Sequence, residues 1–280
     1  MDKNSTFELN NGTRIPVIGF GTNVLQGESG IKDIQRALEA EYRLIDTAQS
    51  YENEEEVGLA VENSPVPRQD IFITTKITDE NQGRELTFES THASLEKLRT
   101  DYVDLLLVHW PNLDDFDISL ETWQALISLQ EQGIARAIGV SNYTPDLIQL
   151  TIDESGVIPA VNQVEFHPFL FQKDLMDYCQ SQNILVESYC PIARAEHTQA
   201  PILQHLSEKY DKSPVQVILR WHLEHGLVPI PRSTNPDHIE ANLDIFDFSL
   251  TDEEVAKMDE LDMNYRIVNP EKGPPSWRKA

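Results

Sequence analysis

Apolar positions along the chain alternate between two rhythms. Short runs of aliphatic and β-branched residues, such as Ile71-Phe72-Ile73-Thr74-Thr75 and Leu105-Leu106-Leu107-Val108, have the length and composition of buried strands. Between them lie segments whose apolar residues return every three or four positions, as on a helix with one buried face. The pattern predicts strands near 17–20, 43–46, 71–76, 103–108, 135–140, 160–165, 184–189 and 227–231. It predicts helices near 30–41, 54–62, 87–99, 119–132, 145–154, 173–182, 201–210 and 214–225. Ahead of them, Thr6-Phe7-Glu8-Leu9 and Arg14-Ile15-Pro16-Val17-Ile18 flank Asn10-Asn11-Gly12, a hairpin signal. Thr144-Pro145 and Ser213-Pro214 read as an N-cap followed by proline in the first turn. Thr251-Asp252-Glu253-Glu254 opens a last helix, 252–261, with a capping box.

Strands alternating with helices at this spacing indicate a parallel α/β fold, and eight strand candidates favour a closed barrel over an open sheet. Such a barrel takes about 250 residues as one domain, so residues 1–280 are expected to form a single unit. Residues 262–280 read as an irregular tail, with Pro270, Gly273, Pro274 and Pro275, that either folds over the barrel mouth or stays disordered.

Composition narrows the setting. No apolar run reaches the roughly 18 residues of a membrane helix, and Met1-Asp2-Lys3-Asn4-Ser5-Thr6 has no secretory signature. Two cysteines, Cys179 and Cys190, make no disulfide framework, which fits a reducing cytoplasm. Lys plus Arg total 22 against 47 Asp plus Glu, a net charge of −25 that repels nucleic acid and anionic lipid. The acids are assigned to outer helix faces (Asp33, Glu39, Glu41, Glu52, Glu54, Glu55, Glu56, Asp114, Asp115, Asp117, Asp252, Glu253 and Glu254). That distribution suggests adaptation to high salt, where screening removes self-repulsion.

Candidate chemistry collects at strand ends. Asp46 closes one strand, and Tyr51 follows five residues later. Lys76 ends the next strand and His109 the one after. A free phenol titrates near ~10, so it needs help to exchange protons at neutral pH. An ammonium stabilises phenolate, and a carboxylate keeps that ammonium charged and aimed. A histidine can orient a substrate oxygen. This set delivers a proton to a carbonyl, and a bound nicotinamide would have to deliver hydride. A Schiff base on Lys76 is the competing chemistry. Gly19-Phe20-Gly21 lacks the third glycine of a dinucleotide fingerprint and reads as tight backbone packing. His222 and His225, three apart on one helix, have no third partner at metal-binding spacing and read as surface residues, and no metal is expected.

With these residues in view, the chain resembles the aldo-keto reductase family. The resemblance is carried by Gly19-Phe20-Gly21-Thr22, Ile45-Asp46-Thr47-Ala48 through Tyr51, Asn53-Glu54-Glu55, Thr75-Lys76 and Val108-His109-Trp110-Pro111. It continues through Ile138-Gly139-Val140-Ser141-Asn142, Asn162-Gln163-Val164-Glu165-Phe166-His167-Pro168, Ser188-Tyr189 and Ile230-Pro231-Arg232-Ser233. It implies a (β/α)8 TIM barrel, plugged at the bottom by the N-terminal hairpin, with NAD(P)H across its mouth. Tyr51 would be the acid/base, Lys76 and Asp46 its tuning pair, and His109 the carbonyl orienter. Ser141, Asn142 and Gln163 would hold the nicotinamide carboxamide, with Tyr189 stacked under the ring. Gly21 and Thr22 would lie beside the cofactor, Cys190 near its pyrophosphate, and His167 under the cofactor loop. Arg232, Ser233, Thr234, His238 and Asn242 would form the adenosine 2′-phosphate site. Lysine is usual at 232, arginine at 238 and glutamate at 241, where Arg232, His238 and Ala241 stand, so NADPH is expected with NADH also accepted. Phe20, Asn23, Trp110 and Trp277 are the candidate substrate walls. The expected partner is a small carbonyl compound, the expected state a monomer. A cofactor-sensing binding subunit with little turnover remains the alternative.

Overall fold

The structure is a computed structural model and describes residues 1–268. The hairpin forms from β1 (Thr6–Glu8) and β2 (Arg14–Pro16), with Phe7 opposite Ile15. Its turn needs the left-handed backbone of Gly12 (φ 85°), whose N–H donates to the Leu9 carbonyl.

Eight parallel strands follow in sequential order: β3 (Phe20–Gly21), β4 (Leu44–Asp46), β5 (Phe72–Ile77), β6 (Val103–Val108), β7 (Ala135–Ser141), β8 (Val161–Glu165), β9 (Leu185–Tyr189) and β10 (Val228–Pro229). The Gly19 and Gly21 N–H groups donate to the Pro229 and Pro231 carbonyls at 3.0 and 3.1 Å, and so close the sheet into a barrel. A side chain at Gly19 would meet Leu44 at 2.7 Å, so the first strand approaches the second only as bare backbone. Of the glycine pair only Gly19 is packed this tightly; a side chain at Gly21 would meet Ile230 at an ordinary 3.4 Å.

Outside the strands lie α1 (Gly27–Glu39), α2 (Glu54–Glu62), α3 (Arg84–Leu98), α4 (Phe116–Glu131), α5 (Pro145–Ser155), α6 (Lys173–Ser181), α7 (Pro201–Tyr210), α8 (Pro214–Glu224), α9 (Pro236–Ala241) and α10 (Asp252–Asp259). Ser213 and Thr251 make the expected capping boxes, with Gln216 and Glu254. Thr144 occupies the N-cap of α5 but its side chain makes no capping bond.

Period-two alternation along the strands sorts their side chains into two cores. Ile45, Leu106, Val140 and Val164 face the helices. Leu44, Leu105, Leu107, Ala137, Val161 and Val228 face the lumen, where Leu9 and Ile15 of the hairpin join them. The hairpin is therefore the apolar floor of the barrel.

Three of the acids assigned to outer faces are instead buried. Glu54 accepts from Thr75 Oγ1 at 2.7 Å, Asp33 pairs with Arg36 at 2.9 Å, and Glu254 takes Lys209 and Tyr210. His222 is also buried rather than on the surface, because α8 is covered on nearly every side. Its Nδ1 lies 2.9 Å from the Ile218 carbonyl and its Nε2 3.0 Å from Ser188 Oγ, and burial lowers its pKa to about 4. His225 is partly buried, 2.9 Å from Asp259.

Candidate active site

The last turn of the lumen before solvent is polar. Lys76 on β5 is completely buried, and its Nζ donates to Asp46 Oδ1 and Oδ2 at 2.7 and 2.8 Å and to the Thr47 carbonyl at 2.8 Å. Burial by itself favours the neutral amine, but the charge and hydrogen bonds of Asp46 oppose it, and the pKa stands above the ordinary lysine value. With three hydrogen bonds holding its ammonium to Asp46 and Thr47, Lys76 is poorly disposed to the nucleophilic attack that a Schiff base requires.

Tyr51 hangs above this pair, its ring centroid 5.0 Å from Lys76 Nζ. The expected downward pull of Lys76 on the phenol exists, yet burial is larger and Asp46 adds to it, so the net shift is upward. At neutral pH Tyr51 therefore holds its proton, as a donor must.

The segment carrying Tyr51 is fastened on both sides. Asn53 Nδ2 donates to the Thr22 and Leu25 carbonyls at 2.7 and 2.9 Å, while its Oδ1 accepts from Thr47 Oγ1. Gln49 Oε1 accepts from the Thr78 N–H and from Asn81 Nδ2. Between these anchors a single turn, Gln49–Tyr51, ends in left-handed Glu52 and aims the phenol inward. The His109 ring meets Tyr51 edge-on at 5.8 Å, with Ser50 Oγ 3.3 Å from its Nδ1.

Next to the phenol, left-handed Asn142 (φ 65°) donates to Ser141 Oγ and to the His109 carbonyl, and accepts from Tyr189 OH at 2.7 Å. Ser141 Oγ donates to the Gln163 carbonyl at 2.7 Å. Gln163 Nε2 donates to Asp46 Oδ2 at 2.8 Å and to Glu187 Oε2 at 3.0 Å. Both amide protons are engaged, so Gln163 presents its Oε1 as an acceptor.

A cavity of about 320 Å³ runs across this mouth. It joins Asp46, Tyr51, His109, Trp110, Asn142, Gln163 and Tyr189 to Gly21, Asn23, Cys190 and Arg232. A wider groove near α1 and α9 brings together no comparable set. Thr22 sits behind the wall, its Oγ1 on the Asp46 carbonyl at 2.9 Å. Ser141 likewise lies just behind. Ser233, Thr234, His238 and Asn242 lie beyond Arg232 along the chain and do not line the cavity; His238 and Thr234 are exposed, Asn242 is buried.

Phe20 is a correction. Its ring packs on Tyr42 at 5.4 Å in the strand–helix layer, because its neighbour Gly21 takes the lumen-facing position. It is no substrate wall. Trp277 lies outside the described residues. His167 is buried, 3.2 Å from Glu165.

Several residues at the site escaped the sequence reading. Arg194, Ile192 and Val268 line the cavity. Glu165 accepts from the Ile267 and Val268 N–H groups at 2.6 and 2.9 Å, fastening the chain beside the mouth. Glu187, two residues before Tyr189, faces the lumen by the same alternation that places Tyr189 there.

Comparison with known proteins agrees with this geometry. The chain is 42% identical to a glyoxal reductase of Bacillus subtilis (strain 168), over 95% of this chain and 96% of that protein. It is 39% identical to the methylglyoxal reductase DkgA of Escherichia coli (strain K12), over 94% and 95%. A Bombyx mori aldo-keto reductase solved in complex with NADP superposes with a TM-score of 0.87 at 36% identity, covering 95% of each chain. Residues 17–263 match the aldo/keto reductase family, and the chain belongs to it.

Proposed function

We propose that this enzyme reduces small aldehydes and ketones, dicarbonyls such as methylglyoxal among them, at the expense of NADPH. One observation carries the reading: the Tyr51 phenol stands over a buried Lys76–Asp46 ion pair, in the cavity that also holds Arg232.

The residues present suit the cofactor. Gln163 offers an oriented acceptor for the carboxamide, with Ser141 and Asn142 beside it and Tyr189 for the ring face. Cys190 and Arg194 suit the pyrophosphate. Arg232 suits the 2′-phosphate, since a guanidinium can clamp it bidentately, with Ser233, Thr234, His238 and Asn242 as further contacts. Bound NADPH supplies hydride to the carbonyl carbon. Tyr51 donates the proton to the carbonyl oxygen, His109 orients that oxygen, and Lys76 compensates the charge left on the phenol. Trp110 and Asn23 border the substrate. No helix among the described residues is long and apolar enough to cross a membrane. We read the enzyme as a cytoplasmic monomer, its acidic surface suited to high salt.

The test is NADPH oxidation with methylglyoxal by the wild type and Tyr51→Phe. The variant should lose roughly 10²–10⁴ in kcat with little change in cofactor affinity. Near-wild-type turnover removes Tyr51 from the chemistry. His238→Arg should tighten NADPH several-fold and leave NADH unchanged, read by quenching of protein fluorescence. Equal gains for both cofactors exclude a phosphate contact at 238.

A further inference from the structure

Beside Asp46, Tyr51, Lys76 and His109 lies a second carboxyl group that the reaction as described does not use. Glu187 is completely buried and directly opposite Gln163 in the β8–β9 register. Its Oε2 accepts from Gln163 Nε2 at 3.0 Å, while Oε1 is buried with no hydrogen-bond partner. Gln163 thus bridges two carboxyl groups, Asp46 and Glu187, with the two protons of one amide nitrogen. Among the described residues, the charged groups that act on Glu187 are Asp46 from β4 and Lys76 from β5. β8 opposes it with the uncharged Gln163 and β10 with Val228. Tyr51 lies beyond Lys76 and is charged only as phenolate.

One ammonium therefore stands against two buried carboxyl groups, and its contacts decide which one ionises. Lys76 gives two hydrogen bonds to Asp46, while no hydrogen bond joins it to Glu187. A second carboxylate here would stand desolvated, one oxygen without a donor, beside a like charge. Protonated, Glu187 leaves the Lys76–Asp46 pair balanced and still gives Gln163 its acceptor.

Resting on the reductase reading above, we propose that Glu187 is a positioning residue that works as a neutral carboxylic acid, and that its ionisation weakens proton donation by Tyr51. The neutral acid orients the Gln163 amide so that its Oε1 faces the cavity. Ionised, Glu187 adds a second negative charge against the Lys76 ammonium, which also faces Tyr51, so less of that charge is left to compensate the phenolate that develops as Tyr51 gives up its proton. The balance is simple: Glu187 loses one proton to solvent, and the inner charge of Asp46, Lys76 and Glu187 goes from zero to −1. Burial first, and the Asp46 charge second, push the Glu187 carboxyl up to about 8, against the Gln163 hydrogen bond and Lys76. The transition thus falls within the range where the enzyme can be assayed, and below the upward-shifted phenol of Tyr51.

The experiment combines kinetics with infrared spectroscopy. Wild-type kcat for NADPH-driven reduction should fall as pH rises through about 8, with KM changing less. Glu187→Gln, permanently neutral and of equal size, should lose this falling limb, so that the ratio of variant to wild-type kcat grows about fivefold or more between pH 6.5 and 9.5. Glu187→Asp keeps a titrating group and should retain a limb. Infrared titration of the cofactor-free wild type should show a protonated-carboxyl carbonyl band that fades over the same range and is missing in Glu187→Gln. The same falling limb in Glu187→Gln and wild type overturns the proposal. So does the absence at pH 6.5 of a protonated-carboxyl band attributable to Glu187. If Glu187→Gln does not fold, the wild-type band and its displacement in Glu187→Asp decide. If no aldehyde supports NADPH oxidation by the wild type, the reductase reading fails, and the infrared band still decides whether Glu187 is neutral.

Discussion

In the lower lumen, Leu44 of β4 and Val161 of β8 belong with Leu105 and Ala137 to one apolar cluster. Two residues further along the same strands stand Asp46 and Gln163, and with Lys76 and Glu187 they fill the lumen with charge and hydrogen bonds. One strand period separates a core held by non-directional burial from one in which each group depends on its neighbours. The lower layer can lose contacts one at a time. In the upper layer, removing one partner leaves another buried and uncompensated, so stability and chemistry fail together there.

The sharpest way to test this contrast is Lys76→Met. It strands Asp46 without its cation and takes the compensating charge from Tyr51. Expected are a kcat loss of roughly 10²–10⁴ and a stability loss of about 3–5 kcal/mol, read by steady-state kinetics and urea unfolding. A variant that stays stable and active would mean the two layers do not differ in this way. Leu105→Ala probes the other side: a loss of about 2–5 kcal/mol in unfolding free energy, with kcat of the folded enzyme within about threefold of wild type. A large kcat loss without destabilisation would merge the layers into one functional unit. The smallest effect concerns the exterior. Because the screening length falls from about 10 Å at 0.1 M to about 3 Å at 1 M salt, the melting temperature should rise from dilute buffer to molar KCl, by equal amounts in wild type and Leu105→Ala. A flat melting temperature would disconnect the acidic surface from salt.

The barrel was legible because its strands are apolar runs bounded by helical periodicity. α2 and α7 match their predicted ranges, and β6 matches residue for residue. The ends of the barrel were harder. β10 shrinks to Val228–Pro229 because Pro229 and Pro231 offer carbonyls but no N–H, and β3 is displaced to Phe20–Gly21 where it meets those carbonyls. Motif blocks located Asp46, Tyr51, Lys76 and His109 but said nothing of direction. Phe20 therefore read as a pocket wall although alternation turns it outward. Glu187 went unnoticed although the same alternation turns it inward. His222 was misread because a helix pattern shows one apolar face and cannot reveal that α8 is covered on the others. Burial of Asp33, Glu54 and Glu254 was invisible for a related reason: each is paired with a partner distant in sequence or on the next turn, which composition does not report.

The Glu165 clasp has a bearing on how such an enzyme can change over generations. It grips the backbone N–H groups of Ile267 and Val268, and leaves their side chains out of the bargain, while Val268 borders the cavity. Any residue with an N–H preserves the grip, and only proline removes it. A lineage can therefore try one side chain after another at the lip of the mouth, altering which carbonyl compounds are welcome, without dislodging the segment that carries them.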